Sequence, residues 1–369
     1  MTDREALYQA VLAAPDDDLP RLVLADWFEE NGDPERAAFV RLQIELARLA
    51  EGDARRAELE GLAADLLRIH WTTWLGVRVE VAPASRWVFR RGFPMELDWR
   101  GSPSGDELAK FVGSPFLAQI TRLKLSVDII ADAFAHTLAT SEYTSNLTEL
   151  DLSFNAIGPA GVADLAASKY LNRLSQLDLG SNQIGDAGAD ILAASPCTER
   201  LIKLGLRSTG IGPAGVRALA ASPRLASLNT LDLSSNALGP AGAAELAASK
   251  YLNRLSQLDL RSTRVGDEGV TILAASPIAA HLIKLDLDNN GIGPTGAEAL
   301  AATPRLACLN TLSLALNPIG TRGATALASS LYLSRLDSLN LGWCSIGDAG
   351  AAALAASPHL TRLTTLHLS

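Results

Sequence analysis

Most of the residues that chemistry needs are scarce in this chain, and each shortage removes a class of function. Its three cysteines, Cys197, Cys308 and Cys344, are odd in number and far apart, so neither a disulfide framework nor a metal cluster is indicated and they read as reduced, structural thiols. The five histidines, His70, His136, His281, His359 and His367, have no cysteine or carboxylate beside them at ligand or acid/base spacing. No Gly-x-Ser-x-Gly elbow occurs, nor a phosphate loop ending in Gly-Lys-Ser/Thr, so we expect no enzyme, no cofactor and no metal. No apolar run reaches the ~18 residues of a membrane span, and the opening MTDREALYQAV lacks a basic-then-apolar leader, which makes the cytoplasm the default location. Positive charge is also short: 32 Lys+Arg against 41 Asp+Glu leave no basic groove for a nucleic-acid backbone. The imbalance is greatest at the start, where residues 1–75 hold 16 acidic and 8 basic side chains.

What is abundant is repetition. A Leu-x-Leu pair stands at Leu150/Leu152 and returns at one fixed interval, at Leu177/Leu179, Leu204/Leu206 and so on to Leu366/Leu368, with Leu123/Leu125 one step earlier. After each pair comes a small polar position (Asn155, Asn182, Thr209, Asn236, Thr263, Asn290, Asn317, Cys344), then Ile/Leu-Gly-x-x-Gly and a helical piece carrying Leu-Ala. One strand and one helix cannot bury an apolar face alone, so the coils must stack on a shared core. The polar position is expected to turn inward and satisfy backbone groups where the chain leaves the strand. A longer period of three coils, seen in YLNRLSQLDL at Tyr170 and again at Tyr251, shows that the array grew by copying triplets. Positions that break the copying are therefore the informative ones.

The phrase LxxLxLxxNxIGxxGxxxLA resembles the leucine-rich repeats of the ribonuclease-inhibitor type, over roughly residues 95–369. The resemblance implies an α/β fold, a right-handed solenoid or horseshoe with a parallel sheet on the concave side, helices on the convex side and a protein partner bound along the sheet.

Residues 1–75 read as a helical module. Thr2 with Glu5 forms a capping box, Asp16-Asp17-Asp18 an acidic turn, Asn31-Gly32 a stop, Asp33-Pro34 a third start and Asp53 a fourth. The run PDDDLPRLVLADWFEENGDPERAAFVRLQIEL, within a stretch from about Arg4 to Leu49, is similar to the repeat-companion domain of bacterial repeat proteins, a family name that implies company rather than activity. Residues 76–119 form a second segment: Val77, Val79, Val81 and then Trp87 to Phe89 suggest extended chain, and Met95 to Trp99 with the helix Asp106 to Val112 suggests a degenerate first coil. Its expected role is to cover the open end of the core, with a ligand pocket as the alternative. Residues 120–369 are the repeats.

GIGPAG at Gly210 to Gly215 and GIGPTG at Gly291 to Gly296 fit Gly-x-Gly-x-x-Gly between strand and helix, but their last two glycines belong to the repeat, so no dinucleotide is inferred. The better candidate is the outward face of the strands. Its central column reads Asp151, Asp178, Gly205, Asp232, Asp259, Asp286, Ser313, Asn340, His367, flanked by Lys203, Lys284, Arg207, Arg261 and Asp288. Either these aspartates are ordinary consensus or they meet a partner's Lys and Arg. A last column reads Phe154, Ser181, Ser208, Ser235, Ser262, Asn289, Leu316, Trp343, and its large apolar members stand where the copying breaks. Leu316 and Trp343, from adjacent coils, would form one contact patch, unless a cap or a second copy covers them.

The reading that follows is a non-enzymatic protein-interaction scaffold. Two alternatives are a GTPase regulator, which requires exposed Arg or Asn at a strand-loop edge, and an adaptor whose helical module docks a common partner. The sequence stops inside the expected last strand, at Leu366-His367-Leu368-Ser369, so either it is cut short or the chains associate end to end through this edge. Light scattering at rising concentration is expected to show species larger than one chain; a constant single-chain mass excludes the association.

Overall fold

A computed structural model describes residues 2–14, 17–75, 86–99, 105–126 and 130–368; the expected strand at Val77 to Val81 and Asp16 of the acidic turn lie outside them. The chain divides into two compact units, Met1–Val127 with Thr140–Leu150, and Asp128–Ala139 with Asp151–Ser369.

In the first unit, four helices α1 (Asp3–Ala13), α2 (Leu19–Glu30), α3 (Pro34–Arg48) and α4 (Arg56–Leu75) precede strands β1 (Arg86–Arg90) and β2 (Phe93–Trp99), helix α5 (Gly105–Val112) and strand β3 (Arg122–Leu125). The local signals act as expected. Thr2 and Glu5 close a capping box on α1, Gly32 ends α2 at φ 84°, and the Asp33 carboxylate accepts from the Arg36 amide at 3.2 Å to open α3. The fourth helix starts at Arg56 rather than Asp53, because the Asp53 carboxylate is used two residues on, by the Arg55 amide, in the turn before it. Val11, Leu24, Phe28, Val40 and Ile44 share a core with Phe93 of β2, while Phe39, Leu46 and Trp74 form another with Phe89 at its edge. The β1–β2 hairpin turns through Arg91 and Gly92, both at positive φ, and a Cβ on Gly92 would stand 2.6 Å from the Val40 backbone, so only glycine lets the hairpin close on α3. Here β1 and β2 are antiparallel, whereas β2 and β3 pair parallel with Leu97 opposite Leu123. Met95 to Trp99 thus takes the place of a first coil, with α5 as its helix.

The boundary between units falls within α6 (Asp132–Thr140) and β4 (Glu149–Asp151). Beyond it the second unit repeats one plan. Strands β5 to β12 are Gln176–Asp178, Lys203–Gly205, Thr230–Asp232, Gln257–Asp259, Lys284–Asp286, Thr311–Ser313, Ser338–Asn340 and Thr365–His367. Helices α7 to α14 are Pro159–Ala167, Gly185–Ala194, Pro213–Ala220, Gly239–Ala247, Gly266–Ala275, Pro294–Ala302, Gly320–Ala328 and Gly347–Ala355. Neighbouring strands pair parallel with leucine opposite leucine, as in Leu204↔Leu231 and Leu312↔Leu339, so the constant step in sequence becomes a constant register. Both leucines of each pair are buried from Leu150 to Leu341, and the helix leucines from Leu165 to Leu327 are at most 2% exposed. The last strand differs: all three residues of β12 are exposed, as is Leu368.

Three hydrogen-bond ladders stitch the coils. The first is the inward polar position. Asn236 donates to the carbonyls of Leu206 (2.7 Å) and Leu233 (2.9 Å), and its oxygen accepts from the amides of Thr209 (3.0 Å) and Ile211 (3.1 Å). Thr209 and Thr263 donate to the carbonyl three residues back, and the Cys344 thiol faces the Leu314 carbonyl at 3.0 Å. The second ladder runs along the helices: a Ser or Thr just after a helix donates to a carbonyl of the preceding helix, as in Ser195 to Ala166 (2.7 Å), Ser249 to Ala220 (2.6 Å) and Ser330 to Ala301 (2.6 Å). It satisfies helix C-terminal acceptors that have no intrahelical donor. The third uses Asp132, Asp186 and Asp267, whose carboxylates accept from the first amides of the next helix, at Gly158, Gly212 and Gly293.

Replacing Asn236 by Ala strands the buried amides of Thr209 and Ile211 and the Leu233 carbonyl, while the Leu206 carbonyl keeps the Thr209 hydroxyl, and is expected to cost roughly 3–5 kcal/mol in urea unfolding. Asn236→Thr, copying positions 209 and 263, is expected to cost less; equal losses would show that the ladder does not hold the turn.

Candidate functional site

Each strand places its last residue, the one between the paired leucines, on the sheet face away from the helices, and the acidic column sits there half-buried rather than fully outward. The reason is local. In every aspartate of the column one carboxylate oxygen bends back to the amide two residues on: Asp151 to Ser153 (2.9 Å), Asp178 to Gly180 (2.9 Å), Asp232 to Ser234 (2.9 Å), Asp259 to Arg261 (3.0 Å) and Asp286 to Asp288 (3.2 Å). These turns close the strand ends. Asn340 does the same for Gly342 at 3.1 Å, so an acid is not required for the task. Gly205 breaks the column, and a Cβ there would meet the Asp178 carboxyl carbon at 2.7 Å, so the Asp178 side chain would have to shift.

Arg261 joins two coils of the column. It grips Asp259 at 2.7 Å and reaches Asp286 at 3.4 Å. Arg207, by contrast, is exposed. Burial, with repulsion from Asp288 and Asp259 outweighing Arg261, pushes Asp286 up to about 6, and burial likewise raises Asp178. The coil of Ser313 departs from the repeated turn. Asp288 takes the hydroxyl of Ser313 (2.5 Å) and the amide of Ala315 (2.7 Å), and Asn340 donates to Ser313 at 3.0 Å.

The outer column has a property that the sequence concealed. Phe154, Ser181, Ser208, Ser235, Ser262, Asn289, Leu316 and Trp343 all hold φ between 53° and 60°, the left-handed region that favours glycine or asparagine. The chain must reverse there so that the next residue can turn inward. No glycine marks the position in any coil, so residue types alone carry no signal of it. Phe154, Leu316 and Trp343 are 55%, 53% and 76% exposed, so bulky apolar side chains occupy a strained backbone position without burial in return. Leu316 and Trp343 lie on adjacent coils, roughly 5 Å apart at parallel-strand spacing. Phe154 is six coils from Leu316, roughly 29 Å along the sheet at that spacing, and does not join the patch.

Other candidate chemistry is occupied. In GIGPAG the amides of Gly212 and Gly215 already bind the Asp186 carboxylate (2.6 and 2.9 Å), and Asp267 does the same for Gly293 and Gly296. Burial raises the thiols of Cys197 and Cys344, which keeps them protonated at neutral pH. Among the described residues no group of three His, Cys, Asp or Glu is disposed to hold a metal ion, and no helix is long and apolar enough to cross a membrane.

Because folding raises the Asp286 carboxyl above its ordinary value, its contribution to stability is present below about pH 4 and is lost as pH rises through about 6. Asp286→Asn keeps an acceptor for the Asp288 amide. It is expected to stabilise the chain at pH 7.5 by on the order of 1 kcal/mol after solvent screening, with the gain vanishing towards pH 4 in urea titrations.

The sequence profile of the Leucine Rich repeat family matches residues 144–166, 172–193, 224–247, 253–274, 279–301, 305–328 and 336–355. No curated protein matches the chain. Among solved structures it is similar to a chain of the Rad7 and Elc1 complex in yeast, at 17% identity and a TM-score of 0.53, covering 100% of this chain and 87% of that one. An internalin (InlF) of Listeria monocytogenes str. 4b F2365 is also similar, at 17% identity and a TM-score of 0.39, covering 74% of this chain and 87% of that one. The register and the matched segments agree: the chain is an α/β solenoid built on leucine-rich repeats, with a helical region at its N-terminus.

Proposed function

We propose that the protein is a non-enzymatic interaction scaffold whose repeats, read as the ribonuclease-inhibitor type, bind a protein partner across the sheet face, with Trp343 and Leu316 as the anchor. The observation that carries this reading is Trp343 itself: an indole 76% exposed, at φ 60°, beside a leucine at φ 59° that is 53% exposed. Neither core packing nor local backbone preference accounts for large apolar groups there, since the equivalent positions of the five coils from Ser181 to Asn289 carry serine or asparagine. Aromatic anchors ringed by polar neighbours are where binding energy concentrates, and Asn340, Asp286 and Asp288 supply that setting. The half-buried Asp column and Arg261 add a polar surface that favours a partner bearing Lys or Arg, while Phe154 marks a second, separate contact. The Rad7 and Elc1 structure, in which a similar solenoid forms part of a protein complex, agrees with the scaffold reading. We read the compartment as cytoplasmic, which suits three free cysteines.

Affinity capture with the full chain identifies the partner, and its affinity is then compared with the Trp343→Ala variant. The expected loss is about 30-fold, roughly 2 kcal/mol, with thermal stability unchanged. Trp343→Asn, which suits positive φ, is expected to bind as weakly and to be at least as stable as the parent. Equal affinity of parent and variants removes Trp343 from the site.

A further inference from the structure

Charge in the repeats is segregated by place. The eight segments that carry the chain from a helix back to a strand, 168–176 and its repeats to 357–365, hold 11 Lys/Arg and 2 Asp/Glu. The rest of residues 123–369 holds 6 and 18. A chain with a net charge of −9 thus gathers most of its repeat cations in the part of each coil that has almost no acid.

The topology turns these segments into one continuous edge. Strands β5 to β12 are parallel and follow chain order, so every return segment enters its strand from the same side. Backbone bonds fix the register. The Ile202 amide donates to the Ser175 carbonyl (2.7 Å) and Asn229 to Ile202 (2.8 Å), and the series runs on through Asn310 to Ile283 (2.8 Å) and Thr364 to Asp337 (2.9 Å). Two residues before these ladder positions lies a single column, which contains Arg173, Arg200, Arg254, Arg335 and Arg362, all exposed. Lys203 and Lys284, the exposed first residues of β6 and β9, broaden it.

The fold does not require these cations. Ser227 and Cys308 occupy the same column, so a neutral side chain serves there as well. A row of like charges at the coil spacing of roughly 5 Å is repulsive, and little within the edge offsets it. Its two acids are taken: Glu199 pairs with Arg224, and Asp337 with Arg362 at 3.2 Å. Lys203 acts on Asp178, countering part of the rise that burial causes. Among the described residues Arg200, Arg254, Lys284 and Arg335 have no carboxylate at ion-pair distance.

We propose that this edge docks an extended acidic segment of a protein partner, whose Asp and Glu side chains meet Arg200, Arg254, Lys284 and Arg335. Charge complementarity gives the class, and the narrowness of the edge selects within it. The acidic column of the sheet face begins two residues beyond Lys203 and Lys284, so a nucleic-acid duplex, wider than the edge, would bring phosphates onto carboxylates. Single-stranded nucleic acid relies on aromatic rings for successive bases, and of the tyrosines on this edge, Tyr170, Tyr251 and Tyr332, only Tyr251 is exposed. An extended peptide fits. At ~3.3 Å per residue, about ten residues span the coils from Arg173 to Arg362, roughly 34 Å. The edge precedes the strands whereas Trp343 and Leu316 follow them, so this proposal and the sheet-face reading stand or fall separately.

Fluorescence anisotropy of the full chain with a labelled decapeptide of alternating Glu and Ser tests it, beside a Gln/Ser peptide and an oligothymidylate of equal length. The Glu peptide is expected to saturate at low salt and to bind about tenfold more weakly at physiological ionic strength, and the Gln peptide not to bind. Arg200→Ser, Arg254→Ser and Arg335→Ser together copy the residue at position 227. They are expected to weaken Glu-peptide binding about tenfold with thermal unfolding unchanged. Arg217→Ser, Arg264→Ser and Arg322→Ser remove the same charge from exposed positions off the edge and are expected to change it by less than about twofold. Absence of saturable Glu-peptide binding at low salt overturns the proposal, as do equal losses in the two triple variants or tighter binding of the oligothymidylate.

Discussion

The structure depends on how the chain leaves each strand. The repeat strands are three residues long, and directly after them the backbone turns over a dry interior, where unpaired amides and carbonyls would be costly. The inward Asn solves this for its own coil and for the coil before it at once, whereas Thr209 and Thr263 donate within their own coil. Asn182, for instance, donates to the carbonyls of both Leu152 and Leu179. Each coil is therefore completed by its neighbour, which is what makes the array a stack and not a set of independent units. The serine ladder along the helices and the aspartate clamps at Asp132, Asp186 and Asp267 repeat the same logic elsewhere on the coil.

That constraint also shapes the surface. For one residue to turn inward, the residue before it must take a left-handed conformation, and its side chain then projects from the rim of the sheet face. Serine and asparagine accept this at small cost, and the triplet copies keep serine. Leu316 and Trp343 do not fit that economy of backbone strain, and Leu316 belongs to the coil where Asp288 of the preceding coil, taking the Ser313 hydroxyl and the Ala315 amide, replaces the ordinary strand-end turn. Two independent departures from the repeated pattern thus fall on the same part of the face. The aspartates of the central column are less distinctive than they look in sequence, because each is already employed within its own turn.

The first unit follows different rules. Its helices are held by aromatic packing, with Phe93 against α1 to α3 and Trp74 against Phe39, and its charge is dominated by exposed carboxylates paired with arginines such as Arg41 and Arg48. Against that background the Arg4 guanidinium, 5.6 Å from the centre of the Tyr8 ring and without an ion pair among the described residues, stands apart.

The fixed spacing between leucine pairs was enough to determine the parallel register, the shared core and the inward polar ladder, because those properties follow from period alone and no other arrangement buries every leucine. Helix starts at Thr2 and Asp33 and the stop at Gly32 were legible because capping and turn chemistry act over three or four residues. The left-handed rim, the bent-back aspartates and the serine ladder were not, because each depends on where a backbone group elsewhere in the turn or in the next coil comes to lie. Periodicity determines which side of the sheet a residue occupies. Only the folded chain decides whether the residue's polar atoms are already satisfied there, and that decides what remains for a partner.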